Sequence, residues 1–214
     1  MPGTQKGFTL VEIAIVLVII GLLLTGVLKG QELINSAKVK NLANDFRAVP
    51  VFIYGYQDRF KRLPGDDPAA DDSRFSGFKK AGAGGQTQGN GIIEGQWNST
   101  DITSENVLFW QHVRGAGFAA GSIDFSNAAK ASLPANAEGG QLGVQMSAPI
   151  VGMSGNYYLC SSGINGKLAQ QLDLTLDDGA PDKGTVRAQE TWDSSKGGDA
   201  AYGDGKSFTV CMAI

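Results

Sequence analysis

The stretch that decides the fold is KGFTLVE at residues 6–12, which runs directly into IAIVLVIIGLLLTGVL at residues 13–28. Between Phe8 and Leu28 the only charged residue is Glu12. A helix of this length, rising about 1.5 Å per residue, spans about 31 Å and can cross the hydrocarbon core of a bilayer. We therefore expect a membrane-spanning helix at the N-terminus.

The flanks of the apolar run indicate which kind of membrane segment it is. A cleavable secretory signal ends in small residues in an A-x-A arrangement, and the sequence LKGQE at residues 28–32 offers none. The informative boundary lies before the run, where the polar leader MPGTQKG at residues 1–7 meets Phe8.

The motif KGFTLVE resembles the processing site of type IV prepilins and of type II secretion pseudopilins. The resemblance implies that prepilin peptidase, a membrane aspartic peptidase, cuts between Gly7 and Phe8 on the cytoplasmic side. The same enzyme then methylates the new amine of Phe8. The resemblance further implies a single-pass inner-membrane protein with its head in the periplasm, which an assembly platform adds to a helical filament of pilins.

Glu12 has a physical argument of its own. A carboxylate inside a transmembrane helix costs about 2.5–3.5 kcal/mol by insertion scales, so by default it is a functional residue that needs a partner. Cleavage would create a cation, the amine of Phe8, four residues earlier. In the resembling family this glutamate neutralises the N-terminus of the adjacent subunit, which implies an assembly role for Glu12 and Phe8. The alternative is a glutamate that snorkels to the headgroups.

The helix is predicted to continue beyond the membrane as an amphipathic stem over residues 31–62. Apolar residues recur at steps of three and four on one face, as on a helix that packs along a globular head. Pro50 removes a backbone hydrogen bond inside this stretch, so we expect a kink there. The apolar stripe consists of Val39, Leu42, Phe46, Val49, Ile53, Tyr56, Phe60 and Leu63.

The C-terminal part of the chain predicts an antiparallel sheet. Turn residues separate four short strand-like runs, GVQMSAPI, NYYLCSS, GTVRAQ and SFTVCMAI. A short helix ending at Gly179 is predicted between the second and third runs. The sheet and the helical stripe each need a partner that buries their apolar faces. The prediction is an α+β fold in which a long N-terminal helix, half membrane-spanning and half amphipathic, packs on a small antiparallel head, the ladle of pilins.

These patterns divide the chain into five predicted segments. They are a leader at 1–7, a transmembrane and polymerisation helix at 8–30, an amphipathic continuation at 31–62, a Gly/Asp-rich loop region at 63–100 and a globular head at 101–214.

The two cysteines fit the compartment that the resemblance implies. Cys160 and Cys211 each lie in a predicted strand, and disulfides form in an oxidising periplasm. In the resembling family a disulfide often ties the C-terminal loop to the sheet, which implies a bond between Cys160 and Cys211. Two free buried thiols are the alternative.

The Gly/Asp-rich loop region offers carboxylates but no recognised metal motif. Calcium takes six to eight oxygen ligands, yet the stretch lacks the EF-hand spacing. A solvated loop whose Asp, Asn and Gly residues form turns is the favoured alternative, so no metal site is predicted. The candidate calcium ligands are Asp66, Asp67, Asp71, Asp72 and Glu94.

Nothing in the sequence indicates catalysis by this chain. A helix predicted to begin after Ser104 and to stop at Gly115 and Gly117 carries His112, the one histidine. No GxSxG turn accompanies it, so we expect His112 to be a half-exposed packing residue. One histidine and two cysteines are too few for a zinc site of those ligands. No enzymatic activity and no cofactor is predicted.

The charge balance disfavours nucleic-acid binding. The chain has 18 Lys and Arg against 21 Asp and Glu, a net charge of −3, whereas duplex binding needs clustered cations. The resemblance at residues 6–12 implies a structural subunit of a type IV pilus or pilus-like filament. The alternatives are a type II secretion pseudopilin, a membrane-anchored binding module that never polymerises, and an anchored hydrolase.

Overall fold

The computed structural model describes residue 7, residues 9–71, residue 75 and residues 77–214. The chain divides into two compact units, Met1–Ala37 and Lys38–Ile214. In chain order the elements are α1 (Leu10–Phe60), α2 (Glu105–Gly115), β1 (Leu142–Gln145), β2 (Tyr158–Asn165), α3 (Gly166–Leu176), β3 (Val186–Gln189) and β4 (Ser207–Ala213).

The stem half of α1 buries the predicted stripe. Six of its residues are buried in the second unit, namely Val39, Leu42, Phe46, Val49, Ile53 and Tyr56. The helix runs through Pro50 and ends at Phe60, two residues before the predicted end. Lys61 has a φ of 56°, the left-handed conformation that commonly terminates helices. Leu63 therefore reaches the core from outside the helix.

The four strands form one antiparallel sheet in the order β1-β2-β4-β3. β3 and β4 lie within predicted runs, β1 begins one residue before its run, at Leu142, and β2 extends three residues past its run, to Asn165. One face of the sheet joins the helical stripe in a single buried cluster, through residues such as Leu159, Val186 and Val210. The predicted α+β, pilin-like architecture is confirmed.

The two short helices differ in detail from the prediction. Ser104 precedes α2, but its side chain donates to Asn106 and caps no backbone group. Helix α3 ends at Leu176, three residues before the expected Gly179. It begins after Asn165, whose side chain accepts a hydrogen bond from the Lys167 N–H at 3.1 Å. This cap fixes the start of α3 directly at the end of β2.

Candidate functional site

The N-terminal segment places Gly7 and Thr9 immediately before α1, while Phe8 lies outside the described residues. Gly7 is exposed, and a Cβ built on it would meet no atom within 4 Å. Its φ does not fall in the left-handed region that favours glycine. The fold of this chain therefore does not require glycine at position 7.

The start of α1 is a capping box formed by Thr9 and Glu12. The Thr9 N–H donates to Glu12 Oε2 at 2.8 Å, and the Thr9 hydroxyl donates to the same oxygen at 2.7 Å. The Glu12 N–H lies 3.3 Å from Thr9 Oγ1 and donates to it. These bonds satisfy backbone donors that a helix N-terminus leaves free. Glu12 is thus positioned by its own helix.

Sequence reasoning missed Thr9. The signal was present, because T-x-x-E directly before an apolar run is the capping-box pattern.

The apolar half of α1 packs against none of the other described residues of its unit. Every residue from Thr9 to Lys29 is exposed. In the part of the chain that the structure describes, α1 is the one helix long and apolar enough to cross a membrane, judged by length and composition. Large apolar side chains face outward all round this stretch, among them Leu10, Ile13, Leu17, Ile20, Leu24 and Leu28.

Residues 3–28 match the family model described as the prokaryotic N-terminal methylation motif. The chain carries a prepilin-type signal. Signals of this type are those of pilin-like and pseudopilin substrates of prepilin peptidase. A search of curated proteins and a search of solved structures each returned no match.

The predicted disulfide is present between Cys160 and Cys211, with Cα atoms 4.0 Å apart. The two residues lie directly opposite one another on β2 and β4. Both are fully buried on the sheet face away from the main cluster, where Trp97 and Ile150 cover them. The bond therefore cross-links the two central strands of the sheet.

The carboxylates of the Gly/Asp-rich loop turn inward to bind the loop's own backbone and side chains. Asp66 accepts hydrogen bonds from the N–H groups of Gly89 at 2.6 Å and Gly91 at 2.7 Å. Asp67 accepts from the Tyr56 hydroxyl at 2.8 Å. These contacts give Asp66 and Asp67 a structural task within the fold.

The other described loop acids have partners of their own. Asp71 pairs with Lys80 at 3.5 Å, Glu94 accepts from the Thr87 N–H at 3.1 Å, and Asp72 lies outside the described residues. Within the described loop, no three carboxylates come as close together as a metal site requires.

His112 is fully buried, which corrects the half-exposed position expected of it. Its Nδ1 accepts a hydrogen bond from the Gly65 N–H at 2.9 Å, and its Nε2 lies 2.7 Å from the Lys79 carbonyl. Nε2 must therefore carry the proton. The ring also stacks on Tyr56. The expectation was wrong because the Gly/Asp-rich loop packs over α2. The spacing of apolar residues along the helix does not show that this loop covers it.

Glu105, at the start of α2, was recognised in the sequence only as an acidic residue in the first turn of the helix, and its burial was not predicted. It is fully buried, and its Oε2 accepts a hydrogen bond from the Glu94 N–H at 3.0 Å. Burial raises the pKa of Glu105 to about 7, and the nearby carboxylates of Asp66 and Glu94 act in the same direction. This carboxyl is a titratable group that links the loop to α2.

Proposed function

We propose that this chain is a structural subunit of a type IV pilus or pilus-like filament. Prepilin peptidase cuts it between Gly7 and Phe8 and methylates Phe8, and the mature chain polymerises with other pilins through its N-terminal helix. The chain acts as a single-pass inner-membrane protein with a periplasmic head until the assembly platform incorporates it. It performs no catalysis of its own.

The observation that carries the proposal is the exposed apolar surface from Leu10 to Leu28. Such a surface is unstable in water and needs lipid or other apolar helices around it. A bilayer supplies one such environment and a bundle of like helices in a filament supplies another. The prepilin-type signal, which covers residues 3–28, favours a chain that moves from the bilayer into a filament.

Gly7 supports processing at the proposed bond. Because the fold sets no requirement for glycine there, we attribute the residue to recognition by the peptidase. Cleavage before Phe8 leaves Thr9 and Glu12 intact, so the capping box survives maturation.

The capping box creates a rival account of Glu12, in which it only stabilises the start of its own helix. Loss of an N-cap side chain costs about 0.5–2 kcal/mol. Leaving a buried charge without its partner costs about 3–5 kcal/mol. The proposed pairing of Glu12 with the Phe8 amine of a neighbour therefore predicts a larger effect, repeated at every subunit.

Two substitutions separate the accounts. Glu12→Gln keeps a capping-box residue, since glutamine serves at this position, but removes the charge. Thr9→Ala removes the capping hydroxyl but keeps the charge. We expect Glu12→Gln to be cut and membrane-inserted yet absent from sheared filaments, whereas Thr9→Ala enters them.

Immunoblots of the sheared and membrane fractions, with intact mass to verify cleavage, measure this. If Glu12→Gln assembles at the wild-type level, the charge-pairing role in the proposal is wrong. Thr9→Ala is the matched control, because any loss it shows must come from capping or processing.

A further inference from the structure

The chain contains two Asn–Gly pairs, Asn90–Gly91 in the Gly/Asp-rich loop and Asn165–Gly166 at the start of α3. In such a pair the backbone nitrogen of the glycine can attack the side-chain amide carbon of the asparagine, because glycine has no Cβ to hinder the approach. The product is a cyclic imide, which water opens to aspartate or isoaspartate. The surroundings of each pair decide whether the reaction occurs there.

Asp66 is placed as a base for the backbone nitrogen of Gly91. The Gly91 N–H donates to Asp66 Oδ2 at 2.7 Å, and the side chain of Asp66 is buried. Burial raises the pKa of Asp66, which makes it a stronger base than a carboxylate in water. The N–H lies in the plane of the peptide, whereas the attack proceeds perpendicular to that plane. Asp66 can therefore take the proton as the new bond forms.

The side-chain carbonyl of Asn90 is polarised for this attack. The Ile92 N–H donates to Asn90 Oδ1 at 2.8 Å, and this bond closes a ring that contains the Gly91 nitrogen. A backbone N–H in this position stabilises the negative charge that develops on Oδ1 in the transition state. The nucleophile, its base and the oxyanion donor thus meet at one peptide.

The reacting peptide is open to solvent. Asn90 and Gly91 are both exposed, and a Cβ built on Gly91 would meet no atom within 4 Å. The loop therefore has room for the cyclic imide. Water can reach the imide and open it.

The second pair, Asn165–Gly166, has the polarised carbonyl but not the base. The Lys167 N–H donates to Asn165 Oδ1 at 3.1 Å, as the Ile92 N–H does in the loop. However, the Gly166 N–H donates to the carbonyl of Lys206 at 2.9 Å, and a carbonyl is too weak a base to take the proton. Gly166 is also buried, and a Cβ built on it would overlap the carbonyl oxygen of Gly203. This pair is therefore a built-in control.

We propose that Asn90 is a site of self-modification, at which Asp66 and the Ile92 N–H promote cyclisation onto Gly91. The bond between Gly91 N and Asn90 Cγ forms, and the bond between Asn90 Cγ and Nδ2 breaks. The Gly91 proton passes through Asp66 to the departing nitrogen, which leaves as ammonia. Water then opens the ring and leaves aspartate or isoaspartate at position 90. The inference concerns the second unit alone and does not depend on the proposed function.

The modification weakens the loop. In the unmodified chain the Asn90 amide donates to Glu94 Oε1 at 3.4 Å, and conversion replaces that donor by a carboxylate, which repels Glu94. An isoaspartate also adds one atom to the main chain, which displaces the Gly91 N–H from Asp66. We expect modified protein to melt at a lower temperature than fresh protein.

The test follows the full chain in detergent at neutral pH, folded and, in parallel, unfolded in urea. Tandem mass spectrometry of proteolytic peptides measures the exchange of NH₂ for OH at each asparagine, and enzymatic methylation of isoaspartate verifies the product. We expect Asn90 to convert at least about tenfold faster in the folded chain, because the fold supplies a general base and an oxyanion donor. Asn165 should convert more slowly in the folded chain than in the unfolded one.

Three variants accompany the wild type. Asp66→Asn removes the base and should slow conversion of Asn90 at least about tenfold, even if the loop opens, since an open loop converts at the rate of the unfolded chain. Asp71→Asn, at a loop acid that pairs with Lys80, is the matched control and should keep the wild-type rate. Asn90→Ser retains an oxygen that accepts from the Ile92 N–H but cannot cyclise, so its melting temperature should not fall with time.

Two results would overturn the site. The first is conversion of Asn90 in the folded chain that is no faster than in urea. The second is an Asp66→Asn variant that converts Asn90 at the wild-type rate, which would remove Asp66 from the reaction. Equal melting of fresh and modified wild type would refute the weakening of the loop.

Discussion

At the scale of single residues, buried polar side chains stabilise the irregular loop region that follows α1. His112, Asp66 and Glu105 each bind backbone groups of this region from the interior. Buried backbone groups need such partners because they have lost their hydrogen bonds to water. The order of the loop thus depends on a few side chains and not on regular secondary structure.

Replacing His112 by Ala should destabilise the protein. The Gly65 N–H and the Lys79 carbonyl would lose their partner inside the fold, and an unsatisfied buried group costs about 1–3 kcal/mol. Urea unfolding of the full chain in detergent, followed by tryptophan fluorescence, gives the free energy of unfolding. Lys167→Ala, an exposed change on α3, is the control, and equal stability of the two variants would contradict the structural role of His112.

Glu105 should make stability depend on pH. Its pKa of about 7 in the folded protein exceeds the ordinary glutamate value of 4.5, so its contribution to stability is fully present below about pH 4.5 and is lost as the pH rises through about 7. Glu105→Gln cannot ionise. We expect its melting temperature, relative to wild type, to rise between about pH 5 and about pH 8. A difference that stays constant over this range would show that Glu105 does not titrate there.

At the scale of elements, the sequence predicts helices and strands with a regular side-chain spacing well. It predicts helix ends, and the burial of side chains by distant loops, poorly. The stripe from Val39 to Tyr56 and the four strands follow from side-chain spacing alone. The predicted end of α1 lies two residues too late because Lys61 adopts a left-handed conformation. A lysine in the sequence does not indicate that conformation. His112 was misplaced because its burial depends on contacts with Gly65, distant in sequence.

The disulfide between β2 and β4 should contribute to the stability of the sheet. For cysteines 51 positions apart, the loop-entropy model gives about 4 kcal/mol. We expect a reductant to lower the melting temperature of the wild type, and the Cys160→Ser, Cys211→Ser double variant to melt low with or without reductant. Equal melting of oxidised and reduced wild type would contradict this contribution.

At the scale of the whole molecule, the two units differ in what stabilises them. The second buries its own core and carries a disulfide between two strands of its sheet. In the first, every described residue from Thr9 to Lys29 is exposed, so its stability depends on surroundings that the chain does not supply. The sequence predicted the apolar helix of this unit, because an uninterrupted apolar run identifies such a helix without knowledge of tertiary contacts.

The most direct test of the filament account is the intact mass of this chain in sheared, purified filaments. We expect a chain that lacks residues 1–7, begins at Phe8, carries one additional methyl group and retains the Cys160–Cys211 bond. The membrane fraction of a strain without prepilin peptidase is the control, and should hold only the uncut chain. Filaments in which the chain begins at Met1 or Pro2, or filaments that assemble in its host without containing it, would contradict the account.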